Sequence, residues 1–560
     1  MAALMRFTSA VTGEGTLMRH GGRILADQLR IQGVRRVFSV PGESFLAALD
    51  GLHDSGIANI VCRQEGGAAM MAEATAKLTG TPGVVFVTRG PGATNASAGL
   101  HVAMQDSTPL ICFVGQIARA HRDREAFQEV DYRAFFGPLV KWVAEVDATD
   151  RLPEYIARAF SVAQSGRPGP VVLALPEDML SATADVPDRP AVTVPSPAVP
   201  DLGPLIDRLR QARSPLVVAG GPGWSDDAAK DLAAWTERHG LPVAVAFRRQ
   251  DYIDNRSPAY AGDLNVGPNP KLMARLKAAD LVLALGTRLG DIATGGYEVL
   301  DPVHDRPALI HVHPDPSELN RVWTADLPIE ARAPDVIAAL AARDDDLPGW
   351  HDIQAEARAE YEGWINPRET PGAVKLEQVI AHLDRALPDD AVVTNGAGNY
   401  AGFLHRYFRW RRFGTQLAPT SGSMGYGFPA AIAASLQRPG TPVVCLAGDG
   451  CFQMTCNEMS TAMQHGATPV VIVANNGRYG TIRMHQERHY PGRVSGTDLA
   501  NPDFAAMARA YGGQGWTVTE QADFAPALDA ALASGTLAVI ELRLDPDMLS
   551  TGASLSDMAG

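Results

Sequence analysis

Cysteine is scarce in this chain. Five residues in 560 are cysteine (Cys62, Cys112, Cys445, Cys451, Cys456), with no CxxC pair. An odd, sparse count excludes a disulfide-stapled scaffold and fits reduced thiols in a cytoplasm. Positive charge is in deficit: 49 Lys and Arg stand against 63 Asp and Glu, a formal net charge of −14. That balance argues against nucleic acid or an anionic membrane surface as the main partner, and leaves small anions at a local site open. No uninterrupted apolar run reaches the ~18 residues of a membrane span. The start, Met1 to Arg19, lacks an apolar core and reads as a lead-in rather than a secretory signal. The sequence shows no close repeat and no low-complexity tract.

What is present is ordinary globular composition, 46% apolar and 20% charged, in a chain long enough for several domains. Two composition breaks divide it. Val186 to Pro200 is proline-rich and reads as an extended linker. Asp344 to Gly372 combines an acidic run, a polar helical stretch and two prolines, and reads as a second linker with one exposed helix. The expected domains are 19–185, 201–343 and 373–547. Each alternates short apolar runs with helical patterns. The runs are Val37–Val40, Val84–Thr88, Leu110–Val114 and Val171–Leu175; Leu216–Ala219, Val243–Phe247, Leu281–Leu285 and Leu309–Val312; Val392–Thr394, Val443–Ala447, Val470–Ala474 and Ala538–Leu542. Such runs are parallel strands buried on both faces, so the fold class is α/β with three doubly wound parallel-sheet domains.

The sharpest local signal is Gly448-Asp449-Gly450 after the run Val443–Ala447, with Asn475-Asn476 after Val470–Ala474. The 27 residues from Asp449 to Asn476 hold the turn, helix and second strand of a βαβ unit. Both polar pairs then sit at carboxyl ends of parallel strands, where open α/β sheets bind ligands. Mg²⁺ takes oxygen ligands and shares its shell with phosphates and water. Asp449, the Asn476 side-chain oxygen and the backbone oxygen at Arg478 are the expected metal ligands. The glycines admit a diphosphate close to backbone. The plain alternative is a surface turn beside a chance Asn pair.

The segment resembles the diphosphate motif of thiamine diphosphate (ThDP) enzymes. That resemblance implies further parts. The cofactor's own 4′-amino group, as the imino tautomer, takes the proton from C2. A carboxyl group must therefore exchange a proton with pyrimidine N1′, and a wedge must bend the cofactor. Glu65, in Gln64-Glu65-Gly66-Gly67-Ala68-Ala69, is similar to the family's activating glutamate; alone it would read as an acid in a helix's first turn. Met424, in Ser421-Gly422-Ser423-Met424-Gly425, resembles the wedge, a role suited to a soft, adaptable side chain. Gly398 and Asn399 in Asn395-Gly396-Ala397-Gly398-Asn399, together with Gly422, Gly448, Gly450, Cys451, Tyr479 and Gly480, complete the expected cofactor contacts. Cys451 could also be read as a nucleophile, with a small residue beside the cofactor as the duller reading.

Gly90-Pro91-Gly92-Ala93-Thr94-Asn95, Asp106-Ser107-Thr108-Pro109, Gly115-Gln116 and Ala126-Phe127-Gln128-Glu129 together resemble acetolactate synthase, from Ile24 to Leu544. The resemblance implies ThDP, Mg²⁺, decarboxylation of a 2-oxo acid and carboligation. Gln116, Phe127 and Gln128 would line the substrate side. Glu65 and the Asp449 metal site would belong to different subunits of a homodimer or homotetramer.

Three departures stand out. The family's FAD-domain run Arg–Phe–Asp–Asp–Arg reads Arg288-Leu289-Gly290-Asp291-Ile292 here, which weighs against FAD. It also removes the arginine that holds the acceptor carboxylate; Arg248, Arg249 and Arg288 are the candidates to replace it. His485 stands where the family has a tryptophan, and reads as a general acid/base or a rim histidine. Glu43, in Val40-Pro41-Gly42-Glu43-Ser44, matches an acid of ThDP decarboxylases. A buried carboxylate there would have a raised pKa and could donate a proton; the plain alternative is a turn residue. The runner-up reading is a ThDP lyase without ligation, acting on another 2-oxo acid, 2-hydroxyacyl thioester or diketone. A noncatalytic nucleotide-binding module is the rival of another class.

Overall fold

The computed structural model describes residues 18–301, 303 and 306–559. The lead-in before Met18 lies outside the described residues. Arg19–His20 forms a short antiparallel ribbon with Thr183–Ala184, so the front unit's two ends are tied together. No helix among the described residues is long and apolar enough to cross a membrane.

Three six-stranded sheets follow in chain order, and every strand pair within them is parallel. The front sheet runs Ala58–Val61, Arg36–Ser39, Gly83–Val87, Leu110–Gln116, Pro170–Pro176, Trp142–Glu145. The middle sheet runs Tyr260–Leu264, Val243–Ala246, Pro215–Ala219, Leu281–Leu285, Ala308–His313, Leu327–Glu330. The back sheet runs Gln416–Leu417, Val392–Asn395, Val443–Gly448, Val470–Asn475, Ala538–Arg543, Gln514–Val518. Strands such as Leu110–Gln116 and Val470–Asn475 are buried at every position, as helices on both faces require.

The two segments read as linkers turn out differently. The segment 185–200 forms no helix or strand, in line with a linker. The helix His351–Trp364 is not a free linker helix. It buries Gln354, Ala357 and Tyr361 and packs on the edge strand Tyr260–Leu264, with the Tyr361 and Tyr260 rings 4.8 Å apart edge to face. Trp350 anchors its start by donating to Ala212 O (3.1 Å). Its polar pattern hid a narrow apolar stripe.

Front and back units share one apolar core. Helix Glu65–Thr79 packs on Gly427–Gln437, and the buried alanines of both helices belong to that one core. Met71 and Ile432 are fully buried in that seam. Side chains of that size contribute about 1.5–3 kcal/mol each by leaving water. Gly67 is needed there, because a Cβ would stand 2.8 Å from Glu458 Oε1. The Glu458 carboxylate also accepts from Arg63 N (3.2 Å), which fixes the entry to the helix that begins at Glu65.

In the back sheet the chain leaves Val392–Asn395 for one neighbour, Gln416–Leu417, and later returns to its other side as Val443–Gly448. Strand order reverses at that junction. The crevice outside such a switch point is where doubly wound sheets take ligands.

Candidate active site

Three strand ends of the back sheet converge on one cavity of about 260 Å³. Val392–Asn395 delivers Gly398 and Asn399, Val443–Gly448 delivers Asp449 to Cys451, and Val470–Asn475 delivers Asn476 to Gly480. Gly422 and Met424 close one side, and Leu544, Met548 and Leu549 from the end of the chain close another. All the residues expected to hold the diphosphate, the metal and the wedge therefore line a single cavity; Glu65 does not line it.

Asp449 is the electrostatic centre. Its Oδ1 accepts from Gly450 N (2.9 Å), and its Oδ2 accepts from Gly477 N (2.9 Å) and Asn501 Nδ2 (2.7 Å). Burial pushes its carboxyl above the ordinary range, against the pull of those hydrogen bonds. Among the described residues no lysine, arginine or histidine pairs with it, so the buried charge lacks a counter-cation. The described residues hold no group of three or more His, Cys, Asp or Glu placed to hold a metal ion among themselves. One carboxylate with neutral oxygens nearby is the donor set of a hard divalent cation that also takes phosphate oxygens. The residues present fit a magnesium diphosphate.

The Asn pair divides its work. Asn475 turns inward, donating to Glu541 Oε1 (2.6 Å) and accepting from Asn501 Nδ2 (2.8 Å). Asn476 lines the cavity. The Gly477–Tyr479 turn is held by Leu499 N to Gly477 O (2.9 Å) and Tyr479 N to Thr497 O (2.8 Å). Gly450 fits under the Tyr479 ring, where a Cβ would come within 2.5 Å. Met424 rides on a clamped segment: Gly425 N donates to Cys451 Sγ (3.1 Å), and Thr455 donates to Gly425 O (2.8 Å). Cys451 Sγ also accepts from Tyr400 OH (3.1 Å), so this buried thiol serves as a local hydrogen-bond hub. Asn399 donates to Leu549 O (2.7 Å), and its N–H donates to Thr481 Oγ1 (3.0 Å).

The front unit holds the remaining candidates. Glu65 opens its helix, is buried, and accepts from Asn95 Nδ2 (3.0 Å). Gly92 leaves room for it, since a Cβ there would stand 3.1 Å from Glu65 Oε1. Gln116 is buried with both ends of its amide engaged: Nε2 donates to Val130 O (3.0 Å) and Oε1 accepts from Ile117 N (2.9 Å). It braces the loop that carries Phe127 and Gln128 instead of presenting a free amide. Phe127 is 75% exposed, and Gln128 holds a left-handed backbone (φ 65°) with its Cβ side against Gly90. In the single chain the Glu43 side chain is 68% exposed and accepts from Arg89 Nη2 (3.1 Å).

A second cavity, about 810 Å³, adjoins the first and shares Ala397 to Asn399, Gly422 and Thr481 with it. Arg248, Ile292 and His485 line it; His485 is exposed on the rim and stacks on His489 (6.3 Å). Of the candidate arginines, Arg249 donates to Asp106 O (3.2 Å) and Arg288 to Gln105 O (3.2 Å); only Arg248 lines this cavity.

The comparisons with known proteins agree with this geometry. Residues 19–135 match the thiamine pyrophosphate enzyme N-terminal TPP binding domain, 202–340 the central domain, and 396–542 the C-terminal TPP binding domain. The chain belongs to the thiamine pyrophosphate enzyme family. Within that family it is similar to the acetolactate synthase isozyme 2 large subunit of Escherichia coli, 31% identical over 96% of this chain and 99% of that protein. It is 31% identical to the acetolactate synthase large subunit of Parasynechococcus marenigrum over 99% of this chain and 94% of that protein. It is 30% identical to the mitochondrial acetolactate synthase catalytic subunit of Saccharomyces cerevisiae over 94% and 80%. The chain is a thiamine diphosphate-dependent enzyme of the acetolactate synthase type. Sequence reasoning missed Asn501, which stands in an ordinary Asn-Pro pair, and the cavity-lining residues Leu544, Met548 and Leu549, whose place depends on how the chain folds after its last strand.

Proposed function

We propose that this enzyme decarboxylates a 2-oxo acid and joins the remaining fragment to a second carbonyl compound, with thiamine diphosphate and Mg²⁺. What carries the reading is the buried Asp449 carboxylate, without a counter-cation, at a cavity that also gathers Asn476, Arg478, Met424 and the glycine segments. When bound, the cofactor supplies an acidic carbon that adds to a 2-oxo acid and lets carbon dioxide leave. Asp449, the Asn476 side-chain oxygen and the Arg478 carbonyl would hold the metal. Met424 would fill the space under the cofactor's bend. Glu65 would pass a proton to and from pyrimidine N1′, with Asn95 fixing the carboxylate. The active unit is a homodimer or larger, in which the front unit of one subunit faces the back unit of its partner. FAD stands outside the proposal, since Ile292 replaces an arginine of the expected run and Arg288 is engaged with Gln105. The free cysteines fit a cytoplasmic enzyme.

Ile292 also favours a second reading, decarboxylation without ligation, because the acceptor arginine is absent at its family position. Reconstitution with ThDP, Mg²⁺ and pyruvate, with product identification, tests both. Acetolactate or another ligated acid is the expected product. Carbon dioxide with free aldehyde favours the second reading. Failure of the protein to bind ThDP overturns both.

A further inference from the structure

The cavity beside the cofactor site carries an unexplained excess of positive charge. Arg248, Arg406 and Arg488 line it, and Asp291 is its single carboxylate. In a chain of net charge −14, acids are plentiful. Yet among the described residues no carboxylate pairs with any of the three. Arg406 donates to the carbonyls of Trp364 (2.8 Å) and Thr551 (3.4 Å), and Arg488 is exposed.

Arg248 is the deepest of them, 5% exposed. Its Nη1 donates to Pro419 O (2.5 Å), while its Nε is buried without a partner. The nearest acid, Asp106, is already held by Lys77 Nζ (2.7 Å) and approached by Arg249 (3.5 Å). Burial lowers the guanidinium to about 10, the signature of a cation short of a counterion. Its nearest titratable neighbours, Tyr400 and Cys451, belong to the loops of the cofactor cavity. Arg248 also adopts φ 60°, a left-handed backbone that strains a residue with a Cβ and recurs at ligand sites.

Arg248 leaves the loop after Val243–Ala246, whereas Ile292 leaves the loop after Leu281–Leu285; both reach the same cavity. We infer that Arg248 binds the carboxylate of the 2-oxo acid substrate, supplying from one loop the cation that position 292 on the other lacks. A guanidinium offers two parallel donors to a carboxylate, and its free Nε edge is one of them. Arg406 and Arg488 lie outward of it on the same cavity and draw anions toward the cofactor. This inference rests on the proposed function and names the residue that selects its substrate class.

The test separates the two claims. ThDP binding is titrated first, in the presence of Mg²⁺, on the wild-type protein and on Arg248→Gln. Oxamate, an unreactive 2-oxo acid analogue, is then titrated into each cofactor-loaded protein by calorimetry. Equal ThDP affinity with oxamate bound about 30-fold more weakly by Arg248→Gln is the expected result. Arg248→Lys keeps the charge but not the fork, and falls between the two. In turnover, the KM for the 2-oxo acid rises by a similar factor. Wild-type oxamate affinity in Arg248→Gln, or in Arg248→Lys should the first variant not fold, overturns the inference while leaving the cofactor reading intact. No oxamate binding by the loaded wild-type protein overturns it as well.

Discussion

A single carboxylate sets the demands of the site. Asp449 is buried, receives three hydrogen bonds and has no cationic partner among the described residues, so its charge is costly until a cation arrives. Its folded-state value is raised, so its stabilising contribution to the metal-free protein is present below the unfolded carboxylate value and lost as pH rises through the folded one. A divalent cation reverses that balance, because it needs the ionised form. Asp449→Asn should therefore leave the metal-free protein at least as stable as the wild type near neutral pH, judged by thermal unfolding. It should weaken Mg²⁺-dependent ThDP binding by about 100-fold, roughly 3 kcal/mol. In the wild type that binding should also weaken on acidification. Unchanged cofactor affinity in the variant would remove Asp449 from the metal site. Asn501, which holds the Asp449 carboxylate, was invisible beforehand because its partners lie 52 and 26 residues away in sequence.

At the scale of elements, the sequence showed the centres of the sheets and hid their edges. The twelve apolar runs correspond to the four inner strands of each sheet, which are buried on both faces. The six strands it did not reveal (Ala58–Val61, Trp142–Glu145, Tyr260–Leu264, Leu327–Glu330, Gln416–Leu417, Gln514–Val518) are the six edges. An edge strand pairs on one side only and is short, exposed or interrupted, so it lacks a continuous apolar run. Gln514–Val518 buries one residue fully, and Gln416–Leu417 is two residues long. Tyr260–Leu264 is buried throughout, but Gly262 and Asp263 break its pattern. The inner strand ends carry Asp449 and Asn476, so the candidate cofactor site was legible for the same reason that the inner strands were. Asp263 gives this edge a measurable signature. Burial pushes its carboxyl up to about 7, with Asn265 as its hydrogen-bond partner. It is thus retained as the neutral acid in the folded state over a range where the unfolded chain ionises it. Its contribution is full below about pH 4 and is lost as pH rises toward 7. Asp263→Asn should match wild-type stability near pH 4 and exceed it at pH 8, by on the order of 3 kcal/mol. Denaturant unfolding at both pH values reads this out, and an equal offset at each would contradict it.

At the scale of the molecule, the three units are locked to one another through buried charge. Lys77 of the front unit bridges Asp106 (2.7 Å) and Glu73 (3.0 Å). Tyr426 of the back unit donates to Glu73 (2.6 Å), Thr420 N donates to Asp106 (2.8 Å), and Arg249 reaches in from the middle unit. The seam fixes how the front and back units of one chain sit together, and in that arrangement Glu65 does not line the cavity built around Asp449. The chain also leaves large apolar groups in solvent: Phe127 on the front loop, and Met454 and Ile482 on the back unit. A second copy that brings its front unit to this cavity would cover them. The arrangement predicts complementation between two dead variants. Glu65→Gln and Asp449→Asn should each abolish turnover alone. In a two-fold dimer with sites across the interface, a mixed dimer places both changes in one site and leaves the other intact. Random mixing makes half the dimers mixed, so an equal co-expression should recover about a quarter of wild-type activity. If each site were built within one chain, every site in the mixture would carry one lesion. Turnover would then stay at the level of the separate variants, so one activity measurement on the mixture decides which arrangement the enzyme uses.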